Sequence, residues 1–134
     1  MEFKKIDSMT GQEFETFIGD FLKENEIDFV YTRSSGDFGA DLLAEFNDAR
    51  FAIQCKRHSS PIGVSAVQEV IASLKVYGAT VGAVVTNNTF TRQAQWLANT
   101  NGVILIGRSE LRALLNGADI RMYLYNTKFK THAQ

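Results

Sequence analysis

Hydrophobic positions near the start of the chain recur with the period of an α-helix. This apolar stripe consists of Phe14, Phe17, Ile18, Phe21 and Leu22. Just before it, Thr10 and Glu13 have the spacing of a capping box, and Met9 and Phe14 have that of a hydrophobic staple. Together these signals predict an amphipathic helix that begins directly after Thr10.

A strand-like pattern follows and predicts three strands, at residues 27–32, 41–46 and 50–56. Segment 34–39, between the first two, is rich in Ser, Gly and Asp, which is typical of a turn. Because only residues 47–49 separate the last two strands, we expect them to pair as a hairpin.

Beyond Pro61, helical patterns alternate with short apolar runs. Ser65 and Gln68 have the spacing of a second capping box and predict a helix that continues through Leu74. Further strands are predicted at 81–86 and 103–106, and helices at 91–98 and 109–115. Strands that alternate with helices pair in parallel through right-handed crossovers. The predicted fold class is therefore α/β, a mixed β-sheet flanked by helices in the order α-β-β-β-α-β-α-β-α.

Length and composition narrow the class of protein. The chain has 134 residues, of which 45% are hydrophobic and 22% charged, as expected for one globular domain rather than a disordered chain or a coiled coil. No apolar run reaches the length of a membrane span, and the first residues lack a signal-peptide core. Cys55 is the only cysteine and there are two histidines, which excludes an internal disulfide and a zinc-ligand pattern. We predict a reduced, cytoplasmic, single-domain protein spanning residues 1–134.

The net charge of −1 argues against a nucleic-acid partner, but the distribution of charge along the chain does not. Residues 1–48 carry a balance of −8, whereas residues 49–134 carry +7, with only three acids among them. Such asymmetry indicates either a polyanion partner or an acidic site beside a basic surface. Ordinary surface charges spread over solvated faces would produce the same balance. The choice between these interpretations therefore depends on the sequence motifs.

Candidate chemistry lies in the predicted hairpin. Alternate side chains of a strand share a face, so Gln54 and Lys56 point away from the core positions around Cys55. Asp41 opens the preceding strand, and hairpin geometry brings it toward the same end. A carboxylate, an amide oxygen and an ammonium group together are typical of a magnesium and phosphate site, although polar residues on a solvated strand face would fit the spacing too.

At these residues the chain resembles the Mrr-like branch of the PD-(D/E)XK nuclease superfamily, which has the restriction-endonuclease fold. The resemblance is carried by residues 36–41 (GDFGAD) and 54–57 (QCKR), a Gln-x-Lys variant of the acid-x-Lys strand. It continues in 11–15 (GQEFE), 63–69 (GVSAVQE), 84–87 (VVTN) and 90–94 (FTRQA). It covers residues 9–115 and leaves 116–134 as a C-terminal extension.

The resemblance implies a role for each polar residue of the hairpin. Asp41 would be the central ligand of Mg²⁺, with Mn²⁺ as a substitute, and Gln54 a neutral ligand where relatives carry a carboxylate. Lys56 would orient the attacking water and stabilise charge on the phosphate. Gln54→Glu would restore the superfamily's carboxylate and is expected to tighten metal binding.

The family's helix acid is either Glu13 or Glu15. Because Glu13 already has a local role in the capping box, and Glu15 lies at the edge of the apolar stripe, we assign Glu15 as the third metal ligand. Asp37 is interpreted as a turn former rather than a ligand.

The predicted partner is DNA. Arg57, His58 and Ser59 directly follow Lys56 and are candidate phosphate contacts, as is Arg92; a plain loop role for the first three stays open. The wider set of basic residues expected to hold DNA is Arg57, Lys75, Arg92, Arg108 and Arg112.

The sequence therefore predicts a metal-dependent endonuclease that hydrolyses DNA phosphodiester bonds. Two alternatives stay open: a Holliday-junction resolvase-like nuclease, and a non-cleaving DNA-binding module that keeps the fold. We expect no room for a separate recognition domain, so a targeting partner is a further possibility. Double-strand cleavage needs two active sites, which predicts a homodimer. The apolar segment 120–125, an edge strand or a docking segment, is the candidate contact.

Overall fold

A computed structural model describes residues 2–32 and 38–125. Its helices and strands are, in chain order, α1 (Phe3–Asp7), α2 (Gly11–Glu24), β1 (Asp28–Tyr31), β2 (Leu42–Phe46), β3 (Ala49–Lys56), α3 (Val64–Tyr77), β4 (Val81–Thr86), α4 (Arg92–Thr100), β5 (Ile104–Ile106) and α5 (Arg108–Leu115). Residues 120–125 form one further short helix. None of the helices in these two ranges combines the length and hydropathy needed to cross a membrane.

The five strands form one mixed sheet in the order β1-β2-β3-β4-β5. The first three strands pair antiparallel, and β4 and β5 continue the sheet in parallel. Asn47 and Asp48 connect β2 to β3 with φ angles of 54° and 62°, the positive values that both central residues of a type I′ hairpin turn require. The predicted fold class, hairpin and parallel half of the sheet are confirmed.

Helices cover both faces of the sheet, so strand β3 is buried on both sides. Phe51 and Ile53 face the larger core, shared with α1, α2 and α5, whereas Ala52 faces a second core under α3 and α4. The alternation along β3 thus follows the prediction. Its second face is not solvated, however, because Gln54 on that face is only 6% exposed.

Helix α2 begins as its capping signals predict. The Glu13 backbone N–H donates to Thr10 Oγ1 (3.1 Å), and the Thr10 N–H donates to Glu13 Oε1 (2.8 Å). Helix α3 does not follow its predicted signals. It begins at Val64 with Gly63 as N-cap and no side-chain cap, so Ser65 already lies within the helix, and the predicted second capping box is wrong.

Two further features differ from the sequence analysis. Helix α1 was not predicted, because five residues are too few to show a helical period. Segment 120–125 is helical rather than an edge strand. Ile120 and Leu124 lie 3% and 2% exposed in the larger core, so the apolar side of this segment docks on its own chain. Only Met122 and Tyr125 remain as large exposed hydrophobic residues there, which leaves little apolar surface for the predicted dimer contact.

Candidate active site

Asp41 lies at the point where strand β2 begins and is held from two sides by β3. Its backbone N–H donates to the Ile53 carbonyl (2.7 Å), and its Oδ2 accepts from the Cys55 N–H (2.8 Å). Burial raises the pKa of this carboxyl above its ordinary value; the Cys55 N–H and Lys56 oppose the rise, and Glu69 adds to it. Asp41 is therefore a half-buried carboxylate with too little positive charge around it.

Glu15 approaches the same place from helix α2. Burial raises its pKa, and the nearby Asp41 carboxylate raises it further. Burial also raises the pKa of the Cys55 thiol well above its ordinary value, with Asp41 and Glu15 adding to it, so this thiol stays protonated near neutral pH. Glu13, in contrast, is occupied by its capping box. The structure thus brings Glu15, rather than Glu13, toward Asp41.

Gln54 is buried on the α3 side of strand β3. Its amide Nε2 donates to Glu69 Oε1 (3.1 Å). Its Oε1 is buried and has no hydrogen-bond partner within residues 2–32 and 38–125. Leaving a buried acceptor without a partner costs about 1–3 kcal/mol. A buried carbonyl oxygen without a hydrogen-bond donor is suited to bind a cation.

Lys56 ends strand β3, and its Nζ lies 3.5 Å from Glu69 Oε1. Glu69, on helix α3, therefore contacts both polar residues of the Gln-x-Lys strand. It was missed in the sequence analysis. A signal was present, since Glu69 is one of only three acids in the basic half of the chain.

The loop that leads to Asp41 rests on the same helix. Gly39 has a φ of +77°, and a Cβ there would collide with the backbone carbonyl of Glu69. Residues 40 and 41 are also bonded to Thr32, directly after β1. Thr32 Oγ1 donates to the Ala40 carbonyl (2.9 Å), and the Thr32 N–H donates to the Asp41 carbonyl (3.0 Å). Only glycine allows this close approach, and the contacts hold residues 39–41 between the end of β1 and helix α3. Asp37 lies outside the described residues.

The donor set fits a hard divalent cation. In the part of the chain that the structure describes, no three His, Cys, Asp or Glu side chains form a ready metal cluster, so an all-carboxylate cage is not preformed. The candidate oxygens are the Asp41 carboxylate and the Gln54 carbonyl, which has no partner among the described residues. They belong to neighbouring strands, joined by the hydrogen bond from the Asp41 N–H to the Ile53 carbonyl, and the Glu15 carboxylate lies close to Asp41. Carboxylate and amide oxygens are the ligand types that Mg²⁺ and Mn²⁺ prefer.

The residues predicted to contact DNA differ in how far they are engaged by the protein. Ser59 and Arg92 are exposed. Arg57 is half-buried and donates from Nη1 to the Asp7 carbonyl (3.2 Å). The His58 side chain is exposed, but its N–H donates to Asn87 Oδ1 (2.8 Å), which holds this loop against the end of β4.

Arg108, which the sequence analysis places among the residues expected to hold DNA, has an acidic partner within the protein. Its guanidinium donates to both carboxylate oxygens of Asp7 (2.9 and 3.1 Å) and lies over the Phe3 ring. The Arg112 guanidinium also lies over Phe3, 5.1 Å from the ring centroid. Asn87 Nδ2 donates to Asp7 Oδ1 (2.9 Å) as well. Arg108 therefore joins α1 to α5, and its guanidinium, on a side chain that is 35% exposed, is already paired with Asp7.

The profile of the Mrr catalytic family, described as restriction endonuclease, matches residues 6–115. The chain belongs to this family. The predicted resemblance is confirmed, and the match extends the predicted core at its start to include the end of α1. The family is one of restriction endonucleases. No curated protein matches it significantly.

Three solved structures share the fold. A protein of unknown function, AF1548, is 23% identical, with a TM-score of 0.60 over 71% of this chain and 56% of that one. The MspJI restriction endonuclease in complex with a 27-mer oligonucleotide is 23% identical, with a TM-score of 0.52 over 81% of this chain and 28% of that one. AspBHI, a DNA modification-dependent restriction endonuclease, is 18% identical, with a TM-score of 0.56 over 96% and 40%. This chain therefore spans about half or less of the proteins it matches.

Proposed function

We propose that this chain is the catalytic domain of an endonuclease that hydrolyses DNA phosphodiester bonds with a divalent metal ion, Mg²⁺ or Mn²⁺. The observation that carries the proposal is the buried carbonyl oxygen of Gln54, which has no partner among the described residues. It belongs to the same side-chain cluster as Asp41, whose pKa burial raises. Two oxygens that lack positive charge form half of a metal site, and the chain belongs to a family of nucleases.

Asp41 and Gln54 would hold the cation, with Glu15 as a third ligand, directly or through water. The bound cation supplies a Lewis acid that polarises the phosphate and lowers the pKa of a bound water. The chain's contribution is to fix the ligands. The Cys55 N–H orients the Asp41 carboxylate, and the Glu69 carboxylate orients the Gln54 amide. Because Gln54 is neutral, we expect weaker metal binding than at a site with a second carboxylate.

Lys56 would stabilise the charge that develops on the phosphate and orient the attacking water. Its contact with Glu69 is 3.5 Å long, beyond the 2.7–3.2 Å of a good hydrogen bond. The pair is also partly solvated, and such pairs contribute about 0–1 kcal/mol. Lys56 can therefore turn from Glu69 toward a phosphate at little cost.

The charges around the site explain why a cation must bind before DNA. Glu15, Asp41 and Glu69 gather negative charge at one end of β3, which repels a phosphate until a divalent ion offsets it. The exposed Arg92 and the loop after Lys56 are the candidate phosphate contacts beyond this acidic centre. Arg57 reaches DNA only if its hydrogen bond to the Asp7 carbonyl is exchanged for one to a phosphate.

The working unit and its location belong to the proposal as well. One site cuts one strand, so we propose that double-strand cleavage uses two copies of this domain related by a twofold axis. The chain spans a minor part of MspJI and AspBHI, and we propose that target selection comes from a partner or from a further domain. The cytoplasmic location stays a prediction.

A cleavage assay on linear, methylated and branched DNA, with Mg²⁺, Mn²⁺ or EDTA, tests the proposed function. We expect cleavage with either metal and none in EDTA, and loss of cleavage in Asp41→Asn. Preference for branched DNA would favour the junction resolvase-like alternative. DNA binding without cleavage under all metal conditions would contradict the proposal and favour the non-cleaving module.

A further inference from the structure

We infer that Glu69 is a positioning residue that sets the orientation of the Gln54 amide, and so allows a neutral side chain to serve as a metal ligand. The inference rests on the proposed function. It explains how a strand that carries glutamine, where the superfamily carries an acid, can still present an oxygen to a cation.

A glutamine side chain has two different ends, and its neighbours decide which end points where. Nε2 can only donate hydrogen bonds and Oε1 can only accept them, whereas an ionised carboxylate only accepts. The carboxylate of Glu69, 3.1 Å from Nε2, therefore selects one of the two amide orientations. With Nε2 on Glu69, Oε1 points elsewhere, and it is this buried oxygen that lacks a partner among the described residues.

Glu69 is itself fixed where it can exert this control. It lies in the second turn of α3, and its backbone carbonyl packs under Gly39 in the loop that leads to Asp41. The same Oε1 that accepts from Gln54 faces the Lys56 ammonium. One residue of α3 thus contacts the loop before Asp41 and both polar residues of the Gln-x-Lys strand.

A glutamate at position 54 would not need this control. Both oxygens of a carboxylate accept, so its two orientations are equivalent. Glu69 should therefore matter for metal binding through residue 54 when that residue is glutamine, and not when it is glutamate. Gln54→Glu is expected to tighten metal binding, and the metal affinity of this variant should in addition no longer depend on Glu69.

A double-mutant cycle tests this inference, with Mn²⁺ affinity measured by calorimetry on DNA-free protein. The four proteins are the wild type, Gln54→Glu, Glu69→Ala and the double variant. Loss of an outer partner of a metal ligand typically weakens metal binding about tenfold or more. We expect that loss for Glu69→Ala in the wild-type background and a clearly smaller loss in the Gln54→Glu background. The freeing of Lys56 occurs in both backgrounds and cancels. In the Gln54→Glu background Glu69 also faces a second carboxylate, and the repulsion between the two gives a further reason to expect a smaller loss there.

An equal loss in both backgrounds would overturn the inference, because it would mean that Glu69 acts as a direct ligand or only as a nearby charge. No loss in either background would overturn it too. If Glu69→Ala fails to fold by circular dichroism, Glu69→Gln replaces it, because its amide can turn and donate, and it so removes the selection. We then expect the same larger loss in the glutamine background.

Two controls separate this inference from the proposed function. Glu45→Ala removes a carboxylate that pairs with Arg50, at the opposite end of β3 from Lys56, and should leave Mn²⁺ affinity unchanged. Asp41→Asn should abolish binding whatever residue 69 is. A wild type that binds no Mn²⁺ would contradict the proposed function itself, whereas normal wild-type binding without the predicted coupling would contradict only the role of Glu69.

Discussion

Asp7 and Asp41 are two aspartates in opposite situations. Asp7 accepts hydrogen bonds from Arg108 and Asn87, and the Arg108 guanidinium above all holds its pKa below the ordinary value. Among the described residues, the Asp41 carboxylate accepts a hydrogen bond only from the Cys55 backbone N–H, and burial holds its pKa above the ordinary value. The negative charge of Asp7 is thus matched by an ion pair, whereas residues 2–32 and 38–125 give Asp41 no such pair.

This difference separates a carboxylate that stabilises the fold from one that awaits a ligand. Asp7 ties α1 to α5 and, through Asn87, to the loop at His58. In the part of the chain that the structure describes, Asp41 has no such side-chain partner, although Lys56 lies near enough to lower its pKa. A group that destabilises the metal-free protein is best explained by what it binds, since perturbed carboxylates cluster at functional sites.

The largest expected effect comes from removing Lys56, the basic residue near Asp41. Lys56→Ala should reduce cleavage about 10²-fold or more, because it removes a group directed at transition-state charge. Its effect on the free energy of unfolding should stay within about 0.5 kcal/mol, as for other partly exposed positions. Single-turnover cleavage and denaturant unfolding measure the two, with the exposed Lys23→Ala as control. A Lys56→Ala protein that cuts as fast as the wild type would contradict the proposed site.

The same substitution at the two aspartates should change stability in opposite directions. Asp7→Asn removes one half of a two-bond ion pair and should destabilise the protein by about 1 kcal/mol, a value kept low because both partners are partly solvated. Asp41→Asn relieves an unmatched buried charge and should raise the Tm of the metal-free protein. Thermal unfolding in EDTA measures both. A lower Tm for Asp41→Asn would show that its carboxylate is already satisfied by the protein.

Their dependence on pH should differ as well. A lowered folded pKa makes the contribution of Asp7 present at neutral pH and lost as the pH falls through that pKa, so the cost of Asp7→Asn should shrink as the pH falls below the ordinary value of 3.8. The raised folded pKa of Asp41 makes its protonated form the stabilising one. Its contribution is therefore lost as the pH rises from the ordinary value through the folded pKa. Unfolding curves of wild type and variants between pH 3 and 7 test this; parallel profiles would contradict it.

The smallest effects concern DNA contacts. Arg92→Ala should weaken DNA binding and reduce the slope of log affinity against log salt by about 0.9, the contribution of one phosphate contact. Arg108→Gln, which removes the charge, should change that slope little, because Arg108 is engaged by Asp7. Binding measured in Ca²⁺ at several salt concentrations compares the two. A change in slope of about 0.9 for Arg108→Gln would return Arg108 to the DNA-binding set.

Local patterns predicted most of the fold and part of the site. The capping box at Thr10, the hairpin of β2 and β3 and the alternation of Gln54 with Cys55 depend on neighbours in sequence, and all were predicted. The turn of that hairpin has two residues rather than the predicted three. Glu69 was missed because its contacts with the Gln-x-Lys strand come from helix packing. The pairing of Asp7 with Arg108, 101 positions apart, has no sequence signal at all. Segment 120–125 was ambiguous because a short apolar run fits a strand or a helix equally.

The central claim is that the Asp41 carboxylate binds a divalent cation, whereas the Asp7 carboxylate does not. Calorimetric titration of DNA-free protein with Mn²⁺ tests it most directly. We predict that the wild type and Asp7→Asn bind Mn²⁺ with equal affinity and that Asp41→Asn does not bind it measurably. Equal binding by Asp41→Asn and the wild type would contradict the account.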